Sequence, residues 1–306
     1  MPRGAAAKPV RSFPSPWLAF ATITAIWGST FLVIAVGNDR VPPVWAAALR
    51  LTLASALLLG ILKLRRQPLP RAKALRASVI FGFFQFGINF PLLYLGEKEV
   101  PSGLAAVIFA TVPLSNALLT RAVGLERLDA AKLSGAVIAL IGVALIFINQ
   151  LRADVHLLPL VWVLLATWAA CIGTIALKRG GGQSPIASNA VGTAVGAAVC
   201  FAWSFIAREP HRLPVTAPEW GPILYLALVG SIGGFVIFAW LVHRWEITRV
   251  SYVSVVIPVL ALALGAAVRH ERIGVISLGG SLVVLLGLAI GLRSRPQETR
   301  SASEER

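Results

Sequence analysis

The sequence predicts an all-α polytopic membrane protein: ten transmembrane helices arranged as two inverted five-helix repeats. Three observations predict it. Of the 306 residues, 57% are hydrophobic and only 13% charged, about half the charged share of an average soluble chain and too little polar surface to coat a soluble core. Ten mostly apolar segments of about 20 residues, each enough for a hydrocarbon layer of about 30 Å, lie between charge clusters and Pro/Gly breaks. Several features of the second half also repeat those of the first at a fixed offset.

The first segment, Trp17 to Val36, follows a basic start and closes before Arg40. Ala35-Val36-Gly37 faintly resembles a signal-peptidase site. The run is longer than the usual signal-peptide core of about 7 to 15 residues, so it is read as a retained span. Val44 to Leu64 follows Pro43 and runs into the cations between Lys63 and Arg76. Ala74 to Leu95 ends at Glu97, Lys98 and Glu99, and Ser102 to Thr120 ends at Arg121. Leu128 to Ile148 is the weakest segment, because Asp129 and Lys132 crowd its start. Leu157 to Leu177 stops at Lys178-Arg179, and Pro185 to Ile206 at Arg208. Gly221 to Val242, Val250 to Val268 and Ile273 to Leu292 complete the set.

These boundaries divide the chain into a tail (1–16), a first five-helix unit (17–148), a connecting loop (149–158), a second unit (159–292) and a tail (293–306). The tails are Pro, Ala, Ser and charge, a composition that buries too little to fold. No stretch is left for a soluble domain. The 28 Lys and Arg residues against 13 Asp and Glu give a net charge of +15, which on a soluble chain would point to nucleic acid. Here it is topology: with the N-terminus inside, 20 cations fall on the inner side and 7 on the outer, and Arg50 lies within a span. The bias places both termini in the cytoplasm.

The repeat appears at an offset of 145 residues. Pro113 corresponds to Pro258, Glu126-Arg127 to Glu271-Arg272, Gly135 to Gly280 and Gly142 to Gly287. A shorter echo at 141 pairs Trp27 with Trp168. Glycines seven apart share a helix face and admit a close neighbour, so Gly135, Gly142, Gly280 and Gly287 are predicted packing positions. Each unit has an odd number of spans, so the second crosses in the opposite sense. That arrangement sets a solute site near the midplane between the halves.

In these features the chain resembles the drug/metabolite transporter superfamily, EamA type. The residues that carry the likeness are Trp27-Gly28-Ser29-Thr30-Phe31, Pro43 with Arg50, Tyr94-Leu95 with Glu97 and Glu99, Pro113, Glu126-Arg127-Leu128, Pro258, Glu271-Arg272, and Gly280 with Gly287. The resemblance spans roughly residues 17 to 292 and departs in the second half, where no arginine matches Arg50. It implies a carrier of a small solute without choosing the solute.

Arg50 is the one clear ion within a span. A guanidinium at a span centre costs at least about 2.5 to 3.5 kcal/mol, so it must be paired, hydrated or drawn to an interface. Two readings are open: a fork for a substrate carboxylate or phosphate, or a structural partner for freed carbonyls or an end-of-span glutamate. Pro113 and Pro258 each delete a helical hydrogen bond and serve as hinges or as static kinks. Trp27, Thr30, Gln85, Asn89, Trp168 and Tyr252 complete the predicted solute-binding set, with Asn116, Asn189, Thr174, Ser231 and Ser254 as further polar residues. Helix packing is the alternative for each.

All 13 acids and all four histidines fall in loops, tails or span ends, so no group is expected to titrate at the midplane, which weakens obligate proton antiport. Cys171 and Cys200 lie in apolar runs and form no metal site, and Gly180-Gly181-Gly182 lacks the Lys-Ser/Thr of a phosphate loop. No cofactor or metal is expected, and the chain is read as a non-enzyme. The expected function is secondary export of a small polar metabolite, an amino acid or related compound, across a bacterial inner membrane by alternating access. A drug or nucleoside/purine efflux carrier of the same fold is the alternative, and from another class a receptor or scaffold. The partners expected are the solute and the bilayer, with no nucleic acid; a homo-oligomer is left open.

Overall fold

The computed structural model describes residues 15–100, 102–149, 156–181, 184–269 and 274–293. Within them the chain forms ten helical spans: Pro16–Asn38, Pro43–Leu64, Ala72–Gly96, a fourth in two pieces (Ser102–Phe109 and Val112–Ala122), Ala130–Ile146, Leu157–Arg179, Pro185–Ile206, Ala217–Arg244, a ninth in two pieces (Ile247–Val250 and Val253–Arg269), and Val275–Leu292. Seven helices are long and apolar enough to cross a membrane, and Ala130–Ile146 and Ile247–Leu260 are shorter apolar helices. The predicted Glu271-Arg272 pair, residues 1–14 and 294–306 of the tails and residues 150–155 of the connecting loop lie outside the described residues.

Local chemistry sets the helix starts. Ser15, Asp129 and Ser184 each accept a backbone N–H at the head of spans 1, 5 and 7. Pro16, Pro43 and Pro185 occupy first turns, where a missing donor costs nothing. The charges that crowd the start of span 5 are both used. Asp129 accepts from the Ala131 and Lys132 amides at 2.8 and 3.2 Å, and the Lys132 ammonium lies 2.7 Å from Glu246.

Spans 5 and 10 meet backbone to backbone. A Cβ on Gly135 would stand 2.6 Å from the Gly287 carbonyl oxygen, and one on Gly142 2.7 Å from that of Gly280; the reciprocal positions are equally tight. Spans 2 and 7 pack across a Ser55 hydroxyl that donates to the Ala190 carbonyl at 3.2 Å. The start of span 2 and the end of span 7 are stapled by Glu209, which accepts from the Val44 and Trp45 amides at 3.2 and 2.8 Å and from the Ser204 hydroxyl at 2.8 Å.

Spans 3 and 8 each contain a wide-turn π-helical stretch, Phe83–Ile88 and Leu226–Gly234. Residues 83–88 shifted by the 145-residue offset fall on 228–233, so the two stretches are counterparts in the two repeats. Such turns are rare and gather at functional sites.

Candidate solute-binding cavity

A cavity of about 150 Å³ is lined by both repeats. Trp27 and Thr30 come from span 1, Arg50 from span 2, Gln85 from the wide turn of span 3 and Asn89 from the helix just after it, Asn116 from span 4, and Phe235 and Phe238 from span 8. Most of its wall is apolar. The Trp27 ring packs on Phe235 and Phe238 with centroids 4.9 and 5.2 Å apart, and its nitrogen points at Gly234, where a side chain would collide with it.

Arg50 is 4% exposed. Its Nη1 donates to the Tyr94 hydroxyl at 2.9 Å, its Nε to the Ser231 hydroxyl at 3.3 Å, and its guanidinium lies 4.7 Å from the Phe90 ring centre. Nη2 lies beside Gly230, 3.9 Å from where a Cβ would stand. No carboxylate lies within 4.0 Å of it among the described residues. Two neutral hydroxyls and a ring face orient the charge without neutralising it. Arg50 and Tyr94 also line a smaller cavity of about 20 Å³ that reaches Asn38 and Glu219.

The four buried amides divide into two kinds. Asn89 donates to the Ala166 carbonyl at 2.8 Å, and Asn189 to the carbonyls of Phe235 at 3.0 Å and Pro185 at 2.8 Å. The bonds to Ala166 and Phe235 tie helices, although Asn89 also lines the cavity. Gln85 and Asn116 line the cavity, and the Asn116 Oδ1 is buried with no hydrogen-bond partner among the described residues. Thr30, Thr174 and Ser254 spend their hydroxyl protons on carbonyls of their own helices. Glu97, one residue beyond span 3, lines the cavity too, and burial pushes its carboxyl up to about 7.

Two predicted solute contacts lie elsewhere. Trp168 is 47% exposed on the outside of the helix bundle and is absent from the cavity wall. The 141-residue echo matched its residue type with Trp27 but not its helix phase. Tyr252 is buried outside the cavity lining, and its hydroxyl donates to the Lys132 carbonyl at 2.6 Å, with its ring against Gly291. It ties span 9 to the seam between spans 5 and 10. Pro113 opens the second piece of span 4, and the helix breaks just before it at 110–111. Phe109 and Val112, on either side of the break, both line the cavity. Pro258 lies inside the long piece of span 9, and Ser254, whose carbonyl it deprives of a donor, lines the cavity as well.

Opposite Glu97 the short helix Ile247–Val250 borders the cavity. Ile247, Val250 and Ser251 form part of the cavity wall. Glu126 of the first repeat accepts from the Ile247 amide at 2.5 Å, the Thr248 amide at 3.3 Å and the Thr248 hydroxyl at 2.6 Å. Lys178 donates to the Val242 and Trp245 carbonyls at 2.7 and 2.8 Å. Sequence reasoning singled out Glu126 only as half of a repeated pair. A carboxylate four residues from the nearest helix end gives no sign of the distant amides it will cap.

Comparison with known proteins converges on the same architecture. The profile of the EamA-like transporter family matches twice, over residues 15–148 and 157–293. A "Probable amino-acid metabolite efflux pump" of Salmonella typhimurium is 27% identical over 280 residues, covering 88% of this chain and 92% of that protein. Its namesake in Escherichia coli is 28% identical over 294 residues, with 89% and 94% covered. A solved structure titled "Crystal structure of protein" superposes with a TM-score of 0.75 at 19% identity, covering 92% of this chain and 98% of that one, which shows a shared fold. With ten spans in two matched halves around a cavity, the chain belongs to the EamA-like transporter family.

Proposed function

We propose that this transporter exports a small metabolite bearing a carboxylate, an amino acid or a related compound, across a bacterial inner membrane with both termini in the cytoplasm. The observation that carries the proposal is Arg50: a buried guanidinium on the cavity wall, held by neutral groups, with no carboxylate in contact among the described residues. A solute carboxylate supplies the missing charge through a forked hydrogen bond. The apolar wall of Trp27, Phe235 and Phe238 receives the rest of the molecule. Relatives named as probable amino-acid metabolite efflux pumps support the substrate class.

Transport proceeds by alternating access: the two repeats exchange conformations about the breaks at Pro113 and Pro258, presenting one site to each side in turn. The seam of Gly135, Gly142, Gly280 and Gly287 moves as one body. Overexpression in cells challenged with toxic amino-acid analogues tests the reading. Raised tolerance, with faster release of the parent amino acid, is the expected result; unchanged tolerance to every carboxylate analogue, with protection against neutral drugs or nucleosides instead, would overturn it.

A further inference from the structure

We infer that Asn116 is a specificity-determining residue whose amide oxygen accepts a hydrogen bond from the solute's amino group, so that the cavity reads an α-amino acid at two points. This rests on the assignment of the carboxylate to Arg50.

Asn116 is 2% exposed and lines the cavity. Its Oδ1 has no hydrogen-bond partner among the described residues. A buried acceptor without a donor is costly and rarely tolerated, and it points to a ligand that satisfies it. Neighbouring hydroxyls are poor candidates for the donor, because the protons of Thr174, Ser251 and Ser254 are already held by backbone carbonyls. The Asn89 amide group is held by Ala166. What the Asn116 oxygen lacks is a donor, and what Arg50 lacks is an anion. An α-amino acid carries both, joined by one carbon.

The position of Asn116 suits recognition coupled to movement. It lies one turn past Pro113, on the piece of span 4 that begins after the break. A solute bridging Arg50 of span 2 and Asn116 of span 4 therefore links span 2 to the piece of span 4 beyond the break.

The test is a thermal-shift titration of the purified full-length protein with two matched pairs, L-leucine with 4-methylpentanoate and L-phenylalanine with 3-phenylpropionate. A ligand at free concentration c that binds the folded state stabilises it by RT ln(1 + c/Kd), so the rise in melting temperature across a titration reports its affinity. The wild type is expected to prefer the amino acid of a pair. Asn116→Leu should weaken that amino acid by about 10- to 150-fold, the loss of one hydrogen bond to a charged group, and leave its des-amino partner unchanged. Asn116→Asp keeps an acceptor and should retain the preference, which guards against a leucine variant that fails to fold. Equal losses for both members, or none for either, would overturn the role of Asn116 while leaving Arg50 intact. A wild type that binds neither member of either pair would overturn both assignments.

Discussion

Replacing Glu126 with Gln should open the cavity toward the face that carries Glu126. The carboxylate makes two short hydrogen bonds, 2.5 Å to the Ile247 amide and 2.6 Å to the Thr248 hydroxyl, and a longer one of 3.3 Å to the Thr248 amide. Glutamine keeps the shape and one acceptor but loses the charge. A hydrogen bond to a charged group is worth about 1 kcal/mol more than a neutral one, so the two short bonds together lose about 2 kcal/mol. If the open form lacks these bonds, the closed-to-open ratio falls about 30-fold. Ser251 lines the cavity beside this helix and is buried. With Cys171 and Cys200 replaced by Ala, Ser251→Cys becomes the sole thiol for a membrane-impermeant maleimide applied to either side of the membrane. Its labelling rate from the Glu126 side should rise about 30-fold in Glu126→Gln. An unchanged rate, or an equal rise from both sides, would refute the latch.

Three further outcomes follow from the geometry. Gly287→Leu drives a side chain into the Ala139 amide and the Gly135 carbonyl, so it should cost about 1 to 3 kcal/mol of stability, whereas Gly279→Leu, with nothing within 4 Å, should be neutral; denaturant melts of the two variants compare them. Trp168→Ala should leave solute affinity unchanged and Trp27→Ala should lower it, because only Trp27 lines the cavity; competition binding separates the two. Glu97, with its carboxyl up to about 7, holds a proton in the folded chain that the unfolded chain has already released between the ordinary carboxylate range and about pH 7. Stability therefore falls as pH rises through that window. Above it, the ionised Glu97 on the cavity wall repels an anionic solute. Solute affinity should drop between about pH 6 and about pH 8 in the wild type and stay flat in Glu97→Gln; a slope that survives that substitution would remove Glu97 from the account.

The span count and the repeat were legible because they rest on composition and spacing, and a lipid layer imposes both. Arg50 was legible for the same reason: a cation within an apolar run is costly wherever it points. Helix phase was not. A membrane helix is apolar on its lipid side as well as its packed side, so periodicity gives little sign that Trp27 faces inward while Trp168 faces outward. Tyr252 failed as a solute contact because its partner is a carbonyl 120 residues away in sequence. The wide turns at 83–88 and 226–234 have no residue signature, yet they set Gln85 and Ser231 at the cavity and beside Arg50. Which buried amide ties helices, as Asn89 and Asn189 do, and which leaves its oxygen unpartnered on the cavity wall, as Asn116 does, likewise depends on the neighbours the fold supplies.

Whether Arg50 holds the carboxylate of the transported solute is read out by counterflow in liposomes. Vesicles reconstituted with the wild type and loaded with L-leucine should accumulate radiolabelled L-leucine against its gradient. Arg50→Gln, inserted at equal levels and melting at a similar temperature, should lose about 10- to 150-fold in apparent affinity. Full counterflow by Arg50→Gln would contradict the account, as would a variant that no longer inserts or folds, since either result would return the arginine to a structural role.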